Sequence, residues 1–235
     1  MKAIAFDKDG VLVDSLREIF HEAVAAYGTV AESKKNLEKF RSLYPFAKKA
    51  EDIYAVMKLI EGNEEIHGVT SLGAYDTSKA ALFKKAFYAS RHSLIAHSYK
   101  RWLSMIQPFS FAIRACNQLS RSHVVYISTA SDKEGTLAQV KAYAIAVPES
   151  RILSKELSPD KEKHFSHIAR TLKIKMPDIL FIDNNLDQLD IAASTGVEPA
   201  LASWGSNNFQ VKEARTRGIP VLTAAGLTKQ IRDLL

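Results

Sequence analysis

The sequence contains a single cysteine, Cys116, in 235 residues, so no internal disulfide can hold its fold together. It has no apolar run near the roughly 20 residues of a membrane-spanning helix, and acidic residues soon interrupt its amino-terminal apolar stretch, which is unlike a secretory signal. Internal repeats and low-complexity linkers are also lacking. These absences argue against a disulfide-stapled or membrane-embedded protein. They predict a cytoplasmic protein that does not act at a membrane.

Positive charge is in moderate excess, with a net charge of +6 and a pI of about 9.2. This balance suits an anionic partner, either nucleic acid or a phosphorylated small molecule. The basic residues form short pairs, such as Lys34-Lys35 and Lys48-Lys49, rather than a stripe with interleaved aromatic residues. The sequence therefore speaks against nucleic acid as the partner, and it predicts no particular oligomeric state.

Strand and helix signals alternate along the C-terminal half. Short apolar runs such as HVVYIS and DILFID are separated by amphipathic stretches with helical spacing. Near-continuous apolar strands connected by helices are typical of a parallel sheet that is covered on both faces. We therefore predict an α/β fold.

The segment 16–105 differs, because it has helical periodicity and almost no strand signal. Ser15 and Glu18 have the spacing of a capping box at the start of its first helix. The strand KAIAFD precedes this segment and belongs with the C-terminal strands. We therefore predict a core domain formed by residues 1–15 and 106–235, with a helical domain at 16–105 inserted after the first strand.

Polar side chains follow three of the predicted strands. Asp7 and Asp9 follow AIAF, Ser128 and Thr129 follow HVVYI, and Asp183 follows DILFI. In parallel α/β sheets the carboxyl ends of the strands form the working edge, and residues two apart share a face. Two carboxylates so close together need a cation or a proton between them. A third carboxylate, Asp183, makes this edge an oxygen-rich site suited to Mg²⁺.

Four stretches in this order, FDKDGVLVDS, STAS, KEKHF and FIDNNLDQLDIAASTGV, resemble the motifs of the haloacid dehalogenase (HAD) superfamily. The helical segment between the first two resembles the family's helical cap. The resemblance is to the branch that contains phosphatases, phosphoglycolate phosphatase-like and beta-phosphoglucomutase-like proteins. It implies a HAD-like Rossmannoid parallel-sheet core with an inserted α-helical cap domain, and the activity of a phosphoric monoester hydrolase. Dehalogenases lack an aspartate at position 9 and transport ATPases have threonine there, so Asp9 favours phosphatase or phosphomutase chemistry.

The resemblance also implies a role for each motif residue. Asp7 would be the nucleophile that forms an aspartyl-phosphate, and Asp9 the general acid that later activates water. Thr129 would bind the phosphoryl oxygens, and Lys161 would offset the charge of the nucleophile and the phosphate. Further phosphate contacts are expected from four residues: Gly10, Ser128, Ala130 and Lys163. Ser128 competes with Thr129 for the second motif, and Lys163 competes with Lys161 for the third.

The expected cofactor is Mg²⁺. The resemblance implies that Asp7, Asp183 and the backbone carbonyl of Asp9 bind the metal, with Asp187 in an outer position. The resemblance implies a Mg²⁺-dependent phosphatase acting on a small phosphorylated metabolite. A sugar phosphomutase and a non-catalytic binding or regulatory protein of the same fold are the alternatives.

Overall fold

The computed structural model describes residues 2–47, 49–62 and 71–235, so Lys48 of the second basic pair lies outside the described residues. The chain divides into two compact units. The first combines Met1–Asp14 with Gln107–Leu235, and the second is Ser15–Ile106. Within the described ranges, no helix combines the length and the apolar character needed to cross a bilayer.

The first unit is built on a parallel sheet. The strands, in chain order, are β1 (Ala3–Phe6), β2 (Val13–Asp14), β3 (Gln107–Pro108), β4 (Val124–Ser128), β5 (Ile152–Leu153), β6 (Ile179–Asp183), β7 (Glu198–Ala202) and β8 (Val221–Leu222). Six of them form a sheet in the order β5-β4-β1-β6-β7-β8, with every pair parallel. The predicted α/β class is therefore confirmed. The antiparallel pair of β2 and β3 was not predicted, since strands of two residues carry no hydrophobic period.

The helices mostly follow the predicted periodic segments. They are α1 (Leu16–Tyr27), α2 (Lys34–Leu43), α3 (Ala50–Glu61), α4 (Thr77–Ser104), α5 (Ser110–Leu119), α6 (Lys133–Ala142), α7 (Lys161–Leu172), α8 (Leu186–Ser194), α9 (Asn208–Thr216) and α10 (Leu227–Asp233). The first four belong to the second unit. The long helix α4 is kinked at Ser98, whose backbone is not helical.

The register of the sheet sets the position of the polar strand ends. Phe6 of β1 lies opposite Ile127 of β4 on one side and opposite Ile182 of β6 on the other. Apart from the half-buried Val124, the three strands are buried and hydrophobic up to these residues, as expected for a sheet covered on both faces. The next residue of each strand is polar. Asp7, Ser128 and Asp183 therefore lie side by side at the carboxyl edge.

The second unit has its own apolar core, to which α1, α2, α3 and α4 contribute large side chains such as Phe20, Phe40, Met57, Phe83 and Phe87. Within it, the capping box predicted for Ser15 and Glu18 is wrong. Ser15 makes no side-chain capping hydrogen bond, and Glu18 is fully buried. Glu18 instead accepts hydrogen bonds from Arg91 Nε at 2.6 Å and from Trp102 Nε1 at 3.0 Å. A buried carboxylate needs such partners, and they lie on the distant helix α4.

Candidate active site

Asp7 lies directly after β1 and is paired with a buried lysine. Its backbone N–H donates to the Ile182 carbonyl at 2.8 Å, which continues the pairing with β6 past the end of the strand. Lys161 Nζ donates to Asp7 Oδ1 at 2.6 Å and also to the Ser128 carbonyl. Burial raises the pKa of the Asp7 carboxyl, and the ammonium group of Lys161 offsets part of that rise. Asp7 is therefore a carboxylate with a fixed orientation and a cation in direct contact.

Of the two candidate lysines, the structure brings Lys161 to the strand ends. Lys161 is the first residue of α7, and its side chain is 3% exposed. The side chain of Lys163 is 68% exposed and lies 3.3 Å from Asp160. Residues two apart on a helix point to different sides, so one lysine faces the sheet and the other faces solvent. The phosphate contact predicted for Lys163 has no support here.

The loop after β4 presents two hydroxyl groups in different situations. Ser128 Oγ is buried and hydrogen-bonded to His164 Nδ1 at 2.9 Å, which engages it away from a ligand. Thr129 donates its backbone N–H to the Leu153 carbonyl at 2.8 Å. The Thr129 Oγ1 atom accepts from the Ser131 N–H at 3.1 Å and keeps its own hydrogen for donation. Thr129 therefore fits the phosphate-binding role better than Ser128.

Ala130 and Gly10 could serve a phosphate only through their backbone N–H groups. Ala130 lies in the loop between β4 and α6 and is half-buried. The N–H of Gly10 donates to the Val13 carbonyl at 2.7 Å, so the phosphate contact predicted for Gly10 is not supported. Gly10 has a φ of +83°, a conformation that favours glycine, and its role is to let the chain turn after Asp9.

Asp9 is held by two side chains. Its Oδ1 accepts from Lys8 Nζ at 2.8 Å, and its Oδ2 accepts from Ser131 Oγ at 2.7 Å. Lys8 Nζ also donates to Gln139 Oε1 at 3.0 Å. Sequence reasoning did not single out Lys8 or Gln139. Lys8 stands between two aspartates just after a strand, where a lysine is usually exposed, so the sequence offers no signal that it is buried.

The loops that contain Gly10, Asn184 and Gly205 pack closely against one another beside this site. A Cβ atom on Gly10 would lie 2.5 Å from the side chain of Asn184, and one on Gly205 would lie 1.9 Å from the Gly10 carbonyl oxygen. Asn184 Nδ2 donates to the Gly205 carbonyl at 2.8 Å. Asn184 therefore joins the loops after β6 and β7.

Asp183 is an incompletely satisfied buried carboxylate. It is 2% exposed, and its Oδ1 accepts from the Asn185 N–H at 2.9 Å. Its Oδ2 is buried without a hydrogen-bond partner among the residues that the structure describes. Burial raises the pKa of Asp183 well above its ordinary value, and the neighbouring charge of Asp7 raises it further. An unsatisfied carboxylate oxygen beside a second carboxylate fits a bound cation.

The set of side chains limits how a metal could be held. In the described part of the chain, no group of three or more His, Cys, Asp and Glu side chains could hold a metal ion. Asp187 lies in the first turn of α8, and the carboxylate of Asp9 is engaged by Lys8 and Ser131. The residues present fit an ion that takes Asp7, Asp183, the Asp9 carbonyl and several waters. Mg²⁺ is bound in this way, through one or two carboxylates and retained water.

The chain matches the sequence model of the haloacid dehalogenase-like hydrolases over residues 1–196. It therefore belongs to this hydrolase family, and its sheet and helices are those of the HAD Rossmannoid fold. No curated protein matches the chain in sequence.

Solved structures of the same fold cover nearly the whole chain. A haloacid dehalogenase-like family hydrolase from Streptococcus pneumoniae has 17% sequence identity and a TM-score of 0.68, over 100% of this chain and 99% of that one. A protein from Haemophilus somnus, described as a predicted phosphoglycolate phosphatase, has 14% identity and a TM-score of 0.69, over 100% and 98%. A protein from Clostridium acetobutylicum, described as a predicted phosphatase, has 14% identity and a TM-score of 0.69, over 99% and 98%. At these identities, the likeness is one of fold.

Proposed function

We propose that this protein is a Mg²⁺-dependent phosphatase that hydrolyses a small phosphorylated metabolite through an aspartyl-phosphate on Asp7. The observation that carries the proposal is the buried group formed by Asp7, Lys161 and Asp183. In it Lys161 donates to Asp7, and the charges of both residues act on the Asp183 carboxyl group. The description of two structural relatives as phosphatases supports the same chemistry. We also propose that the helical domain, residues 16–105, is the cap of this enzyme.

The first half of the proposed reaction transfers the phosphoryl group to the enzyme. A carboxylate oxygen of Asp7 attacks phosphorus, and the bond between phosphorus and the leaving oxygen breaks. Asp9 gives its proton to that oxygen, so the product leaves as an alcohol. Lys161 orients Asp7, and the Thr129 hydroxyl donates to a phosphoryl oxygen.

The second half returns the enzyme to its starting state. Asp9, now a carboxylate, takes a proton from a water molecule as that water attacks phosphorus. The bond between phosphorus and Asp7 breaks, and inorganic phosphate leaves. Asp7, Asp183 and the Asp9 carbonyl would hold Mg²⁺, which offsets the negative charge of the phosphoryl group. The carbonyl of Asp9 can take this part while its carboxyl group stays with Lys8 and Ser131.

The test is hydrolysis of p-nitrophenyl phosphate with Mg²⁺, with EDTA, and with the variant Asp7→Asn. We expect EDTA to abolish turnover and Asp7→Asn to lower kcat/KM by about a thousandfold or more, because the nucleophile is lost. The matched control is Asp233→Asn, which changes an exposed aspartate of α10 and should leave the rate unchanged. Full activity in Asp7→Asn would contradict the proposal. Release of inorganic phosphate from the metabolite substrate in equimolar amounts separates a phosphatase from a phosphomutase.

A further inference from the structure

A lysine stands between the two aspartates of the first motif, and its side chain is almost completely buried. Lys8 is 1% exposed. Its Nζ donates to Asp9 Oδ1 at 2.8 Å and to Gln139 Oε1 at 3.0 Å. Burying an ammonium ion is costly unless it is paired and hydrogen-bonded, so these two contacts account for its presence inside the fold.

The hydrogen bonds that the Asp9 carboxylate accepts from Lys8 and Ser131 come from different parts of the first unit. Lys8 belongs to the turn after β1, and Ser131, which donates to Oδ2 at 2.7 Å, belongs to the loop after β4. Because each oxygen has its own donor, rotation of the carboxyl group would break at least one of these bonds. The contacts therefore restrict Asp9 to one orientation.

Lys8 is itself fixed at both ends. Its carbonyl accepts the backbone N–H groups of Leu12 at 2.9 Å and Val13 at 3.1 Å, which close the turn that carries Asp9. Its Nζ is held by Gln139, a buried residue of α6. The start of α6 is capped by Asp132, whose Oδ1 accepts from the Gly135 N–H at 2.7 Å. Lys8 thus connects the carboxyl group of Asp9 to α6 through its hydrogen bond to Gln139.

We propose that Lys8 is a positioning residue, which together with Ser131 holds the Asp9 carboxyl group in the orientation that delivers its proton to the leaving oxygen. This inference rests on the proposed function. As the bond from Asp7 to phosphorus forms and the bond from phosphorus to the leaving oxygen breaks, the Asp9 proton moves to that oxygen. The carboxylate that remains keeps its contacts with the Lys8 ammonium group and the Ser131 hydroxyl.

The test compares leaving groups in wild type and in Lys8→Met. The value of kcat/KM reports the steps up to release of the alcohol, and it is measured for a series of esters from p-nitrophenyl phosphate to a simple alkyl phosphate. A nitrophenolate leaves without help, whereas an alkoxide needs the proton. We expect Lys8→Met to lower kcat/KM for the alkyl ester at least about tenfold more than for the p-nitrophenyl ester. A merely structural defect would lower both values equally.

Two further variants protect the test against a folding defect. Lys8→Met leaves Gln139 Oε1 buried without its donor, so Lys8→Met/Gln139→Met removes both partners and should fold at least as well. Ser131→Ala removes the other hydrogen bond and should give the same steeper dependence on the leaving group. Lys141→Met, at an exposed position of α6, is the matched control and should match wild type. Thermal melting identifies the folded variants.

The outcomes separate this inference from the proposed function. The positioning role alone is overturned if the wild type is active and the Lys8 and Ser131 variants lower kcat/KM equally for all esters, or do not lower it at all. A wild type that hydrolyses no ester with Mg²⁺ present overturns the proposed function, and this inference falls with it.

Discussion

At the residue scale, two lysines of one helix show how location decides role. Lys161 contacts Asp7 and is buried, whereas Lys163 pairs with Asp160 at the surface. The position of Lys161 therefore suits the role proposed for it, which is to balance the charge of the nucleophile and of a phosphate, and Lys163 is a solvated surface group. Surface ion pairs of this kind contribute little to stability.

Substitution of the two lysines gives opposite expectations. Lys161→Met should lower kcat/KM for p-nitrophenyl phosphate by about a hundredfold or more, because the charge-assisted hydrogen bond to Asp7 is lost in a buried site. Lys163→Met should stay within about twofold of wild type, since its pair is exposed. Steady-state kinetics of the two purified variants check this. Equal losses in both would contradict the placement of Lys161.

The environment of His164 predicts how the stability of the protein depends on pH. Its Nδ1 is hydrogen-bonded to Ser128 Oγ and its Nε2 to the Ser158 carbonyl, and burial lowers its pKa to about 4, with a further contribution from the charge of Lys161. The folded pKa lies below the ordinary value of 6.5, so the stabilising contribution is complete above about pH 6.5 and is lost as the pH falls toward 4. The full contribution of neutral His164 to the free energy of unfolding is about 3 kcal/mol.

Urea unfolding at several pH values tests this contribution. The free energy of unfolding of wild type should fall between pH 6.5 and 4 by more than that of His164→Gln, which has no proton to gain. Comparing the two proteins removes the effect of other titrating groups that they share. Parallel pH profiles would show that His164 is not held neutral.

At the element scale, the loops after β1, β6 and β7 act as one packed group. Gly205 lies against the backbone of Gly10, and Asn184 joins the loops by a hydrogen bond to the Gly205 carbonyl. Trp204 Nε1 adds a bond to the Val11 carbonyl at 3.0 Å. The turn that carries Asp9 therefore depends on a loop nearly 200 residues later in the chain.

Gly205→Ala tests this packing. The new Cβ would lie 1.9 Å from the Gly10 carbonyl oxygen, so a loop must move. We expect a loss of about 1–3 kcal/mol in stability, together with lower activity because the Asp9 turn is displaced. The comparison is Gly218→Ala, where no atom lies within 4 Å and only the positive φ opposes the change. Melting temperatures and kcat/KM of the two variants test this expectation. A Gly205→Ala variant that is as active and as stable as wild type would refute the packing argument.

At the scale of the whole molecule, the strand order concentrates like charge. With β1 between β4 and β6, the chain places Asp7 and Asp183 at one edge, although they are far apart in sequence. Both carboxyl groups are buried, and both have raised pKa values because of that burial. The two carboxylates therefore destabilise the first unit locally, and a bound cation can offset this effect.

Asp183→Asn measures that cost. Without metal, the variant should unfold at a higher temperature than wild type near neutral pH, because a neutral amide replaces a poorly solvated carboxylate. Added Mg²⁺ should raise the melting temperature of wild type and have much less effect on the variant, since binding to the folded state stabilises it by mass action. An equal Mg²⁺ shift in both proteins would exclude Asp183 as a metal-binding residue.

Most of the helices and strands, and the resemblance to a hydrolase family, could be read from the sequence alone. Apolar runs of strand length ended at Asp7 and Asp183, and helical spacing marked the insert 16–105, because these signals depend only on neighbours along the chain. The capping box at Ser15 and Glu18 was wrong for the same reason, since local spacing does not reveal that Arg91 on another helix binds Glu18.

Which side chains share the site depends on the packing of distant elements. The choice of Lys161 over Lys163, the engagement of Ser128 by His164 and the contact from Lys8 to Gln139 follow from sheet register and helix packing. Lys8 and Gln139 are separated by 131 positions, so no pattern within a strand or helix can relate them. Partners of buried charges are selected by proximity in space, because an ion removed from water needs whatever donor or acceptor the folded chain brings within reach.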